Sequence, residues 1–141
     1  MVQAAVDDLK EFIRAALVEP PGQLTKELIK LCEGLIAIEP ESKSVRIVAG
    51  KLTEKERVAL ICLGHWILSY MVDSPSLSEV PLPTLEKVLA INVKAISAYA
   101  SVLVKDRILS KSTRGTYQAR LAKMPEFLRG VRRKLGGSES S

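Results

Sequence analysis

LAINVKAISAYASVLVKDRILSKSTRGTYQARLA, Leu89 to Ala122, begins with apolar residues at helical spacing and ends with strict alternation around a charged turn. Asn92 is a good N-cap, and Ile96, Tyr99, Ala100 and Leu103 then fall on the inner face of a helix predicted over Val93 to Asp106. Thr84, Leu85, Val88 and Leu89 form a shorter helical pattern that breaks at Ile91 and Asn92. Two helices joined by a tight turn make a helix-turn-helix. "RILSK" and "TYQARLA" alternate around "STRG", which predicts a β-hairpin with Lys111, Arg114 and Gly115 at its tip.

Upstream, "LTEKE" opens a long helix with a capping box, Thr53 accepting from the Glu56 amide and Glu56 reaching back to the Thr53 amide. That helix is predicted to run to Val72. After its first turn it is apolar nearly all round, so both sides need cover, one from its own domain and the other from the N-terminal segment or a second subunit. Asp73 to Pro83 reads as a proline-rich loop that lends Glu79 to Leu82 to a short strand. Further back are an amphipathic helix over Ala4 to Val18, stopped by "EPPG" at Glu19 to Gly22, and a second helix from Thr25 to Gly34. A two-stranded hairpin follows from Leu35 to Val48. "ELIKLCEGLIAIEPESKSVRIV" echoes helix-then-wing, but it is too short for a complete second copy of that unit.

Downstream, Pro125 occupies a first-turn position of a last helix, in which Phe127, Leu128, Val131 and Leu135 make one stripe among Arg129, Arg132, Arg133 and Lys134. Two readings of that stripe stand side by side, a helix closing the domain's own core and a dimer contact. The expected organisation is an N-terminal extension over 1–52, a main domain over 53–135 and a disordered tail over 136–141. The fold class is mainly α with small β-hairpins.

The 141 residues, 47% of them hydrophobic, are enough to bury a proper core. Charge is segregated: residues 1–80 carry −3 and residues 81–141 carry +8, and within 92–134 eleven basic residues face two acids, Asp106 and Glu126. Such a field calls for a polyanionic partner, nucleic acid first. The longest uncharged run, Val58 to Val72, has 15 residues, short of the roughly 20 that a spanning helix needs, and no signal sequence opens the chain. Cys32 and Cys62 sit in apolar helical patterns without C-x-x-C spacing, as buried thiols of a cytoplasmic protein do, with a disulfide between them left open. One Asn and three Gln make a scarcity of amides that leans toward a thermophilic source.

From Leu89 through Ala90, Ile91 and Asn92 to Leu103, and on through "VKDRILSK" in the place of the usual "EEAGLIER", the chain resembles the winged helix-turn-helix proteins of bacterial and archaeal regulators. The resemblance covers Thr53 to Leu121, the long helix supplying the first of three core helices. Arg107 and Ala90 stand where that family carries glycine, which leaves the turn geometry open. The resemblance implies a recognition helix in the major groove presenting Asn92, Val93, Lys94, Ala95, Ser97, Ala98 and Ser101. Phosphate contacts would fall to Lys105, Arg107, Lys111, Arg114, Arg120 and Lys123, with Arg114 at the minor groove. Only Asn92 and Lys94 among the groove-facing residues are strong polar readers, so the expected binding is phosphate-dominated with modest sequence preference.

An enzyme is not expected. His65 is the sole histidine, within an apolar helix, and no H-x-x-x-H, Walker or G-x-S-x-G pattern is present, so neither a metal nor a cofactor is expected. The expected partners are double-stranded DNA and a second copy, joined through Trp66, Tyr70, Phe127, Val131 and Leu135. A protein partner on the N-terminal segment is a further possibility, and no membrane partner is expected. The competing function is a winged helix serving as a protein-interaction module in transcription, replication or DNA partition.

Overall fold

The computed structural model describes residues 2–17, 24–112 and 115–136, which form six helices and two small antiparallel sheets. The expected disordered tail beyond Gly136, Arg114 at the hairpin tip and the "EPPG" stop lie outside the described residues. Helix α1 spans Val2–Leu17 and α2 spans Lys26–Cys32, where the Thr25 hydroxyl caps the Leu28 amide at 3.1 Å. Helix α2 stops before Gly34, which adopts φ +79° in the turn closed by Leu35 N–H to Cys32 C=O. Strands β1 (Ile36–Glu39) and β2 (Ser44–Ile47) then pair in register from Ile36 with Ile47 to Glu39 with Ser44.

The long helix α3 spans Glu54–Met71 behind the capping box read from the sequence: Thr53 N–H donates to Glu56 Oε1 at 2.8 Å and Glu56 N–H to Thr53 Oγ1 at 3.1 Å. A 3-10 turn at Pro75–Ser78 follows, which alternation cannot reveal, and then β3 at Val80–Pro81. Helix α4 begins at Leu82, two residues before the expected Thr84, because Pro83 sits in a first turn, where its missing N–H costs nothing. Helix α5 covers Val93–Lys105, β4 Leu109–Lys111, β5 Thr116–Ala119 and α6 Met124–Gly136. The C-terminal sheet has the order β3-β5-β4.

Helix α3 is the centre of the core. Val58 through Gly64, Ile67 and Leu68 are buried within one chain, covered by the β1–β2 hairpin, α4, α5, β5 and the 3-10 turn. Of the two covers that the sequence allowed, the N-terminal segment supplies one. Leu28, Cys32, Leu35, Val45 and Leu52 belong to the same buried cluster as Ile96, Leu109, Tyr117 and Leu128, so the core continues across residue 52. Both cysteines are buried free thiols, and burial pushes Cys32 up to about 11 and Cys62 up to about 12. No single described helix is long and apolar enough to cross a membrane.

The hairpin approaches α3 closely at Gly64, where an added Cβ would lie 2.3 Å from Val45 Cγ1 and 3.2 Å from its Cβ. Val45 is β-branched and 5% exposed, so shifting it to make room disturbs its packing on α3. Helix propensity alone would make Gly64→Ala stabilising by about 1 kcal/mol, whereas the overlap reverses the sign to a net loss of roughly 1–2 kcal/mol. In a Val45→Ala background, urea unfolding should show the Gly64→Ala cost reduced by about 1 kcal/mol. Equal costs in both backgrounds would rule out this contact as the reason for the glycine.

Candidate nucleic-acid interface

Helices α4 and α5 meet at 114° across Ala90, Ile91 and Asn92. Ala90 takes the left-handed conformation (φ 54°, ψ 39°) and its N–H closes α4 on Glu86 C=O at 2.9 Å. Ile91 is buried, and the Asn92 side chain accepts from Lys94 N–H at 2.8 Å to start α5. At the other end of α5, Arg107 adopts φ +64°, its N–H reaching Val104 C=O and the Ile108 N–H reaching Leu103 C=O. That pair of bonds is a Schellman closure, sealed by buried Leu103 and Ile108. Both departures from glycine therefore keep a left-handed backbone and bear its steric cost of about 1 kcal/mol each.

Ile96, Ala100 and Leu103 face the core, while Lys94, Ala98, Ser101, Val102 and Lys105 share the opposite, exposed face of α5. Val93, Ala95 and Ser97 are half-buried at its margins, and Asn92 is exposed at its start. The helix holds no acidic residue. Ser101 Oγ donates back to Ser97 C=O at 2.9 Å, so this hydroxyl is engaged with its own helix. Tyr99, expected inward, is half-buried and donates to Glu54 Oε1 at 2.9 Å; that bond raises the phenol's pKa and ties α5 to the first turn of α3.

Strands β4 and β5 pair Leu109 with Ala119 and Lys111 with Tyr117. Lys111 Nζ lies 5.7 Å from the Tyr117 ring centroid, which holds an exposed cation over a buried ring. Thr116 Oγ1 donates to Glu79 at 3.3 Å and Gln118 Nε2 donates to Ser78 Oγ at 2.6 Å, locking β5 to the 3-10 turn and β3. Gly115 has φ +80° at the hairpin turn.

The remaining sequence-chosen cations divide. Lys105 and Arg107 are exposed at the end of α5, and Arg120 is half-buried after β5. Lys123 is exposed but shares a groove with Asp106 and Glu126, which offset its charge. Three of the four basic residues of α6 are engaged with the chain: Arg129 pairs with Glu27, Arg132 donates to Glu33 C=O at 2.7 Å and Leu31 C=O at 3.3 Å, and Lys134 pairs with Glu56, while Arg133 is exposed. Burial would raise the Glu56 carboxyl, but Lys134 and the Thr53 amide hold it below its ordinary value.

The five residues expected at a subunit interface differ in burial within one chain. Val131 is only 3% exposed, and Trp66, Phe127 and Leu135 are half-buried against the core, leaving Tyr70 at 67%. Of the two readings of the α6 stripe, closure of the chain's own core holds for Leu128 and Val131. Burial lowers the pKa of His65, with a backbone hydrogen bond at Leu77 opposing the shift.

No protein-family model, curated protein or solved structure matches the chain. Sequence reasoning missed the partnering of α6 with α2, and also a groove holding Arg46 and Arg57. The sequence gives no separate signal for that groove, because Arg57 closes the charged first turn of α3, Glu54 to Arg57.

The left-handed Ala90 gives a sharp test of the turn. Ala90→Gly should be neutral or stabilising by up to about 1 kcal/mol, whereas Ala98→Gly, exposed on the same pair of helices, should cost about 1 kcal/mol. Thermal melts of the two variants check this. A loss at Ala90 as large as that at Ala98 would contradict the assigned backbone.

Proposed function

We propose that the protein is a cytoplasmic DNA-binding regulator or chromatin-type protein of winged helix-turn-helix architecture, acting as a homodimer. The observation that carries this reading is the carboxylate-free exposed face of α5, presented beyond a 114° turn and beside the β4–β5 hairpin with its Lys111 cation. The element order α3, β3, α4, α5, β4, β5 with the sheet order β3-β5-β4 supports it. Helix α5 would lie in the major groove, its Lys94 and Lys105 and the hairpin's Lys111 meeting phosphates. With Ala98 and Ser101 between the lysines, base discrimination is weak, and two copies on successive major grooves about 34 Å apart would compensate.

Of the five residues chosen for a contact with a second copy, Trp66, Phe127 and Leu135 keep partial exposure and only Val131 is buried. Tyr70 remains, and α1 leaves Leu9 at 59%, Phe12 at 70% and Leu17 at 79% exposure on an amphipathic helix. One observation favours the second function, a protein-interaction module: Val88 and Val102 are both 44% exposed on the α4–α5 pair, and the middle of the α5 face is small and uncharged.

Fluorescence anisotropy with duplex DNA across a salt series separates the two functions. Affinity should fall steeply with salt, and replacing Lys94, Lys105 and Lys111 together by Gln should lower the log–log slope by roughly 2 to 3. The end point should hold two chains per duplex. A flat salt response would overturn the DNA reading, and one chain per duplex would remove the dimer.

A further inference from the structure

Helix α1 gathers its apolar residues on one face, yet every described side chain from Asp8 to Ile13 and from Ala15 to Leu17 is exposed, Phe12 at 70% and Leu17 at 79%. Its own chain gives that face no cover. On the body of the chain, two open grooves of about 390 and 400 Å³ share Tyr70 as a wall. Leu24 and Ile29 line the first, among Lys26, Lys30 and Glu33, a net positive surround; Trp66 and Pro75 line the second, beside the exposed Asp73. An apolar strip thus crosses Tyr70, with excess positive charge on one side and a carboxylate on the other. Helix α1 carries the complementary pattern. At roughly 100° per residue, Asp8 stands beside Phe12 and Lys10 beside Leu17, on opposite flanks of the apolar face.

We propose that α1 of one copy seats on the Tyr70 strip of a second copy, and the second copy's α1 on the first, so that the two chains exchange their N-terminal helices. Phe12, on the Asp8 flank, would enter the groove of Ile29. Ile13 and Leu17, on the Lys10 flank, would enter the groove of Trp66, with Leu9 over Tyr70 between them. That placement sets Asp8 toward Lys26 and Lys30 and Lys10 toward Asp73, and it takes both apolar surfaces out of water. Pairing two α1 helices with each other would leave the Tyr70 strip uncovered. A lipid surface suits α1 less well, because its five charged residues are three acids and two bases, and anionic headgroups repel that excess. Reciprocal exchange of an identical element makes two equivalent contacts and closes on itself. This exchange rests on the homodimer proposed above and not on DNA.

Sedimentation equilibrium of the full-length chain at micromolar concentration, without DNA, tests it. The parent should have twice the single-chain mass of 15.4 kDa. Phe12→Asp and Tyr70→Asp, both at exposed positions, should each give the single-chain mass while keeping the circular dichroism of a folded helical chain. Mixing the two variants should raise the mass again, because the Tyr70→Asp chain brings an intact α1 to the intact strip of the Phe12→Asp chain. Asp8→Lys should weaken the dimer several-fold, and adding Lys26→Glu and Lys30→Glu should restore it; this series decides the matter if either Asp variant unfolds. A parent of single-chain mass would overturn the exchange even if two chains assembled on DNA, which keeps its failure distinct from that of the DNA reading. A dimer that survives Tyr70→Asp would indicate α1 pairing with α1, and one that survives Phe12→Asp a contact elsewhere. Either result, a mixture that stays monomeric, or charge reversal without recovery would overturn the exchange and leave the homodimer standing.

Discussion

A helix without a polar face must be enclosed, and the enclosure of α3 determines where every other element lies. Its buried residues between Val58 and Leu68 are covered from both sides in sequence, by the β1–β2 hairpin before it and by α4, α5 and β5 after it. Gly64 is the point of closest approach, where the absent side chain lets Val45 come in against the helix. The capping box at Thr53 fixes where this helix starts, a contribution of about 1 kcal/mol by itself. Its larger effect is positional, since Glu56 also pairs with Lys134 and Glu54 with Tyr99, so α5 and α6 are both tied to the first turn of α3.

The charge segregation along the chain then resolves into two parts. Acidic Glu27 and Glu56 of the first half meet Arg129 and Lys134 of α6, and Arg132 caps carbonyls at the end of α2. These contacts hold α6 to α2 and to the first turn of α3 and add little attraction for an external polyanion. Among the described residues, Lys94, Lys105, Arg107 and Lys111 are exposed cations along α5 and its hairpin, and the proposed DNA contact rests on the three lysines. Exposed pairs such as Arg129 with Glu27 contribute about 0–1 kcal/mol, so α2 is held chiefly by the burial of Leu28 and Cys32.

Local chemistry was readable along the sequence wherever a side chain acts on its own neighbourhood. Thr25, Thr53 and Asn92 cap the helices they were expected to cap, and the alternation of "RILSK" and "TYQARLA" marks β4 and β5. What could not be read depends on contacts distant in sequence. The partnering of α6 with α2 joins residues about a hundred positions apart, and no local pattern separates Arg132, turned onto a helix end, from a cation facing solvent. The 3-10 turn at Pro75–Ser78 carries the same prolines and serines that mark any loop. Ala90 and Arg107 were ambiguous for the opposite reason: their residue types argue against a left-handed backbone, which the packing of Ile91 and Ile108 nevertheless accompanies.

The central claim is that the exposed face of α5 meets DNA. Site-specific photo-cross-linking addresses it directly, with a benzophenone side chain placed at Ala98, in the middle of that face, or at Glu41, in the turn of the N-terminal hairpin. Irradiation with labelled duplex DNA should attach the strand from position 98 and leave position 41 unlinked. Cross-links from position 41 alone, or equally from both, would contradict the account.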